Sequence, residues 1–292
     1  MRNVEDRQLP LWQRLARKII PAPARRQLNA LNRRTIGWYQ KFRKRPAAPR
    51  QPRPQIQQYL DPNGRCYCPV CCNRLARFLP AGNPPRSNAK CPACGALERH
   101  RAAWVYLEQT AGWLKPGKSR PDTSRIMLLH IAPEAPLEKK FRQLKHVEYL
   151  SADLQPGRAM IAMDLTATQL PSDQFDVIFC SHVLEHIEDD LSAMREMARI
   201  LKPDGVAYIQ VPLRPGKTYE DQSIKTPEGR LAAFGQADHV RIYGHDIVDR
   251  LENSGFRAEI RRPGIDEHQV PTVDSATYAR PVVVCYQNPA IT

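Results

Sequence analysis

Apolar runs of strand length and amphipathic runs of helix length alternate along the second half of the chain. The clearest case is residues 174–187, QFDVIFCSHVLEHI, where Val177, Ile178 and Phe179 form a β-branched and aromatic run. Such a run reads as a strand buried on both faces. Polar Ser181, His182, Glu185 and His186 follow it at once. A helix is predicted from about 190 to 201, stopped by Lys202-Pro203-Asp204-Gly205, and Val206 to Val211 reads as the next strand.

The same alternation extends both ways. Upstream, the pattern predicts a strand over 125–131, a helix over 136–144, a strand from 147 that ends at Asp153, and a short strand over 161–163 that ends at Asp164. Downstream come a long polar loop (213–243), a helix over 244–254, a strand over 257–262 and a last strand over 281–286. Strands separated by helices imply an α/β fold with a mainly parallel sheet and helices on both faces. Open sheets of this kind bind ligands at the carboxyl ends of their strands, which is where Ser181 and His182 stand.

The first half reads differently. Residues 9–20 place Leu11, Trp12, Leu15 and Ile19 on one helical face and Arg14, Arg17 and Lys18 on the other. Residues 27–44 repeat the theme with Trp38, Tyr39 and Phe42 among basic residues, and Pro-rich 46–54 is a semi-rigid spacer. The chain of 292 residues carries a formal charge of +14, but residues 1–60 hold 15 Lys and Arg against 2 Asp and Glu. The rest of the chain is left with 29 basic and 28 acidic residues, close to neutral. A concentrated basic arm suits a polyanion, either an anionic membrane surface or RNA. The bland alternative is a solvated or body-packed helix. No stretch is long and apolar enough for a transmembrane helix. The N-terminus lacks the apolar core of a secretory signal, and Glu5, Asp6 and the scarcity of Ser argue against a transit peptide.

Six of the eight Cys fall within residues 66–94. Cys68 and Cys71 form one C-x2-C pair and Cys91 and Cys94 a second, spaced as in a four-thiolate zinc site. Two-residue gaps let a tight turn present two sulfurs to one tetrahedral ion. Cys66 and Cys72 are spare, and either could replace a neighbour as ligand. In a chain without an export signal this clustering favours metal over disulfides, hence a reducing, cytoplasmic setting, with peripheral attachment at the inner membrane face open to the arm. A helix over 96–109 leaves the ribbon carrying Glu98, Arg99, His100 and Arg101, which read as surface ties to the body.

Taken in order, LLHIAPE, YLSADL, AMDLTATQLP, FDVIFCSHVLEHI and LKPDGVAYIQVP resemble the class I S-adenosylmethionine-dependent methyltransferases, most closely the type-11 methyltransferase-domain group. CPVC…CPACGALERHR is similar to a bacterial subgroup with a zinc ribbon ahead of this domain. The resemblance covers roughly 66–286. It implies a Rossmann-like seven-stranded, mainly parallel sheet preceded by a small zinc ribbon and the basic arm. The implied divisions are 1–54 for arm and linker, 55–114 for ribbon and helix, and 120–292 for the methyltransferase domain. The implied cofactors are S-adenosylmethionine and structural zinc.

The resemblance also implies site residues. The family's first loop carries glycines, which this chain lacks. His130 stands at the family's acidic position, Ala132 permits close approach, and Glu134 is expected to pair with the cofactor ammonium. Asp153 is expected at the ribose hydroxyls, with Leu154 beside it; a turn-forming role for Asp153 is the alternative. Asp164 and Leu165 match the adenine contacts, and Ser181 completes the cofactor set. His182 is the candidate base for the acceptor, against a packing role. His186, with His239, Arg241 and Tyr243 from the DHVRIYG stretch, is expected to line the acceptor pocket, or else to cap and order its loop. The implied reaction is methyl transfer to an O or N acceptor on a small-molecule or glycan-like substrate. RNA methylation through ribbon and arm, or a non-catalytic binding module, are the competing readings.

Overall fold

The computed structural model describes residues 56–114, 125–264 and 280–288; the basic arm lies outside them. The ribbon consists of two antiparallel hairpins, β1 (Cys66–Cys68) with β2 (Asn73–Leu75), and β3 (Leu79–Ala81) with β4 (Arg86–Lys90). A helix, α1 (Glu98–Thr110), leaves it. The body then runs β5 (Ile126–Ile131), α2 (Ala135–Arg142), β6 (Val147–Asp153), β7 (Ile161–Ala162), β8 (Phe175–Ser181), α3 (Asp190–Ile200) and β9 (Leu201–Gln210). It closes with β10 (Tyr219–Glu220), α4 (Pro227–Phe234), β11 (Arg241–Ile242), α5 (Ile247–Glu252), β12 (Phe256–Arg261) and β13 (Val282–Gln287).

Seven strands form one sheet in the order β12-β13-β9-β8-β5-β6-β7. The β5–β6, β5–β8, β6–β7 and β8–β9 pairs are parallel, and β13 alone runs against its neighbours. This is the expected Rossmann-like sheet. The short β10–β11 pair and α4 divide a loop in which the pattern predicted no element; neither β10 nor β11 exceeds two residues, too short for periodicity to register. The Lys202–Gly205 stretch that stops α3 bulges out of β9, whose regular pairing with β8 begins at Val206.

The strand period of two sorts the core into opposite faces. Leu129, Ile178, Cys180 and Ile209 point to Ala193, Met194 and Met197 of α3 and Leu251 of α5. Leu128, Val177, Phe179 and Tyr208 point the other way, to Trp104 and Leu107 of α1 and Phe141 of α2. The second cluster continues into Cys68, Leu75 and Phe78 of the ribbon, so ribbon and sheet share one apolar core.

Arg101 anchors that junction. It was expected in a surface salt bridge, yet it is fully buried. Its guanidinium donates to the carbonyls of Ala89, Ala96 and Asn88 and lies 3.9 Å above the Phe78 ring. The planar five-donor guanidinium can reach all three carbonyls at once. Replacing Arg101 by Ala is expected to destabilise the chain by about 3 kcal/mol or more, because the buried carbonyls of Ala89 and Ala96 lose a charged donor. Chemical denaturation checks this; a loss under about 1 kcal/mol would mean that water reaches those carbonyls.

Candidate active site and metal centre

The four ribbon sulfurs form a compact group. Cys68 and Cys94 Sγ are 3.7 Å apart and Cys71 and Cys91 Sγ 3.8 Å, with all four within 4.8 Å of one another. Sulfurs on a tetrahedral zinc with bonds of about 2.3 Å stand about 3.8 Å apart, so the cluster has the size of the ion it would hold. The two knuckles match. The Cys72 amide donates to the Cys68 carbonyl and the Gly95 amide to the Cys91 carbonyl, and Cys72 (φ 57°) and Gly95 (φ 78°) are both left-handed. Cys72 thus fills the position that Gly95 fills in the other turn. Its sulfur faces outward, to the Pro69 carbonyl and Lys140 Nζ, and neither it nor Cys66 belongs to the cluster.

At the sheet's carboxyl edge, two adjacent strands end in left-handed non-glycine residues. Ala132 (φ 47°) follows β5 and His182 (φ 54°) follows β8. Their amides are held by the Ala152 and Gln210 carbonyls of the next strands, which fixes the turns. Such backbone costs on the order of 1 kcal/mol for a residue with a Cβ and collects at functional sites.

Glu134 sits beyond the first turn. Both its oxygens are taken by this chain: the Arg99 guanidinium pairs with it, His100 Nε2 lies 2.7 Å away and Ser181 Oγ donates at 3.2 Å. Burial by itself would raise the Glu134 pKa, but the contacts with His100 and Arg99 outweigh it and hold the carboxyl well below its usual range. His100 Nδ1 accepts the Leu97 amide, which leaves Nε2 to carry the proton toward Glu134. Glu134, expected to pair with a cofactor ammonium, is placed against Arg99 and His100 of α1, with Arg99 as its charged partner. Gln210, whose Oε1 lies 3.3 Å from Ser181 Oγ and whose amide donates to the Arg99 carbonyl, closes this circuit between α1 and the ends of β5, β8 and β9.

His130 is likewise reassigned. It is fully buried, its Nδ1 is 3.0 Å from the Tyr149 hydroxyl, and its ring meets Phe141 and Phe179 edge-on at 5.5 and 5.3 Å. Burial pushes its pKa down to about 3, so it is a neutral core residue. A strand-end position predicts the cleft only when the side chain points there, and the period of two turns His130 toward α2.

Asp153 closes β6 half-exposed, with Oδ1 accepting the Gln155 amide at 2.7 Å in a tight turn and Oδ2 held by no described side chain. Leu154 lies beside it, half-buried. After β7, Asp164 Oδ1 accepts the amide and hydroxyl of Thr166 while Leu165 packs into the core. His182 lines an open cleft with Arg99, Gln210, Leu213 and Arg280, at the ends of β8 and β9. Its Nδ1 is 3.0 Å from Oε1 of buried Glu185, so Nε2 is the nitrogen left to the cleft.

The DHVRIYG residues separate. Arg241 and Tyr243, expected to line an acceptor pocket, are buried away from it. Arg241 donates to the Leu184, Ile187 and Glu188 carbonyls, and the Tyr243 hydroxyl donates to Asp190 at 2.6 Å. Both clamp the loop to the turn after β8, because one guanidinium reaches three carbonyls of that turn. His239 is buried as well and meets His186, the ring centroids 4.7 Å apart. Arg99, His100, Glu185 and Gln210 were absent from the sequence-based set. Spacing gave a signal only for Glu185, four residues from Ser181; the helix α1 reaches the cleft solely through tertiary packing.

Residues 125–209 match the model of a methyltransferase domain. This segment belongs to the methyltransferase-domain family. Among curated relatives, the domain is similar to the malonyl-[acyl-carrier protein] O-methyltransferase of Halorhodospira halophila, 28% identical over 98 residues. That alignment covers 33% of this chain and 31% of the relative. It is also similar to the ubiquinone biosynthesis O-methyltransferase of Haemophilus ducreyi, 38% identical over 55 residues, 19% of this chain and 23% of that protein. The chain thus spans about a third or less of the length of these relatives. An S-adenosylmethionine-dependent methyltransferase from Mesorhizobium loti aligns with a TM-score of 0.40 at 17% identity, over 57% of this chain and 93% of that one.

The Glu134 circuit predicts a pH dependence. A carboxyl held low in the fold contributes its full stability above its ordinary value of 4.5 and loses it as pH falls below that toward the folded value. Glu134→Gln is expected to lower stability at neutral pH and to flatten the acid limb between pH 4.5 and acid denaturation. Parallel denaturation series of parent and variant test this. Superimposable acid limbs would mean that Glu134 carries no net coupling.

Proposed function

We propose that the methyltransferase domain transfers a methyl group from S-adenosylmethionine to an acceptor oxygen. The observation that carries this reading is the His182–Glu185 pair on a strained turn at the end of the central strand, opening on a cleft. When bound, the cofactor supplies an electrophilic methyl on a sulfonium, activated already by its charge. The protein's tasks are alignment and proton removal. Asp153, with Oδ2 free at the end of β6, would hold the ribose hydroxyls, and Asp164 with the Leu165 backbone would hold adenine. His182 Nε2 takes the acceptor proton while Glu185 orients the ring and stabilises the resulting imidazolium. The curated relatives above are O-methyltransferases, which favours oxygen over nitrogen. The nearly neutral body favours a small-molecule or glycan-like acceptor over RNA.

Asp153→Ala is expected to weaken S-adenosylmethionine binding by roughly 10- to 100-fold, the worth of hydrogen bonds to a charged group of about 1.5–3 kcal/mol. His182→Ala should bind cofactor within a few-fold of the parent and lose turnover. Calorimetric titration of both variants decides it. Failure of the parent to bind would favour the binding-module reading instead.

The same reading assigns structural zinc to Cys68, Cys71, Cys91 and Cys94. With four protein ligands the ion has no open position and contributes to folding. Elemental analysis of chelator-free protein is expected to find zinc, and Cys91→Ser to lose it together with cooperative unfolding of the ribbon. Zinc retained in Cys91→Ser would remove that residue from the ligand set.

A further inference from the structure

One cluster beside the cleft does more than the proposed transfer requires. Glu185, His186 and His239 place one carboxylate oxygen and two imidazole nitrogens within 4.8 Å of one another. Glu185 and His239 are 1% and 3% exposed. His239 has neither ring nitrogen hydrogen-bonded, and Glu185 Oε2 is also without a partner. His182 accounts for Oε1 alone. Leaving three buried polar atoms unsatisfied costs about 1–3 kcal/mol each, so a packing role does not explain the arrangement.

The surroundings are built to hold these atoms in place. Glu185 and His186 share the turn after β8, and the loop carrying His239 is fastened to that turn by two devices. The Val240 amide donates to the Glu185 carbonyl at 2.9 Å, and the Arg241 guanidinium spans the Leu184, Ile187 and Glu188 carbonyls. His186 Nδ1 lies 3.2 Å from the Asp238 carbonyl and 3.6 Å from its carboxylate, leaving Nε2 for a ligand. A histidine held at one nitrogen by a carbonyl or carboxylate is the usual outer support of a metal ligand.

We propose that Glu185, His186 and His239 bind a divalent first-row transition-metal ion. Two imidazoles and one carboxylate suit such an ion and leave coordination positions open. The site is distinct from the cysteine cluster, whose four thiolates fill their ion's shell. Glu185 bridges it to His182: Oε1 lies against the imidazole, which leaves Oε2 for the ion. If the transfer reading holds, the ion stands one carboxylate from the proposed base, where it can act as a Lewis acid on the acceptor oxygen.

The experiment needs neither cofactor nor acceptor, so its outcome is independent of the transfer reading. The zinc-loaded full chain is titrated with Mn2+, followed by electron paramagnetic resonance, and in a second series with Co2+, followed by absorption. One further ion per chain is expected, and bound Co2+ should lack the thiolate charge-transfer band of a cysteine site. His186→Ala and His239→Ala should each weaken binding by at least about tenfold while zinc content stays that of the parent. Should either variant lose its zinc or its fold, Glu185→Gln keeps the side-chain shape and carries the test. Absence of binding to the parent below about 1 mM of both ions, or equal binding by parent and variants, overturns the site.

Discussion

The docking of α1 on the sheet is the interaction on which the rest of the structure depends. One face of β5, β8 and β9 is apolar and has to be covered. Trp104 and Leu107 cover it, with Phe141 of α2. Because α1 starts where the ribbon ends, that docking seats the ribbon on the body, and Arg101 then ties the helix to β4 through the Ala89 and Asn88 carbonyls. The first turn of the same helix delivers Arg99 and His100 to Glu134. The four-cysteine ribbon and a candidate catalytic cleft thereby become mechanically continuous.

That continuity accounts for the unusual first loop. A glycine-rich turn lets backbone approach a ligand without steric cost. Here the turn has Ala132 in a left-handed conformation and a carboxylate neutralised from outside the domain's own strands. Ser181 and Gln210 extend the contact across the strand ends, so rigidity at this edge comes from a hydrogen-bonded circuit. A connected polar network of this kind fixes geometry, since each member loses a partner if any one moves.

The cleft's other wall is set by loop clamping. Arg241 and Tyr243 are part of the same motif as His239, but their chemistry is spent on carbonyls and on Asp190. One stretch of sequence thus holds both a member of the Glu185–His186–His239 cluster and the residues that position it.

The alternation of apolar runs determined the sheet: β5, β6, β8, β9, β12 and β13 fall within a few residues of the pattern, because strand period and burial are local properties of sequence. Cysteine spacing likewise determined which four sulfurs meet, since a C-x2-C turn is a local geometry. Which strand-end polar residues face the cleft was decided only by tertiary structure. His130 and Ser181 both end strands, yet one faces the aromatic core and the other the circuit around Glu134. The roles of Arg99, His100, Arg101 and Arg241 depend on partners 5 to 57 residues away. Long side chains with several donors can satisfy many partners equally well, and only the packed fold selects among them.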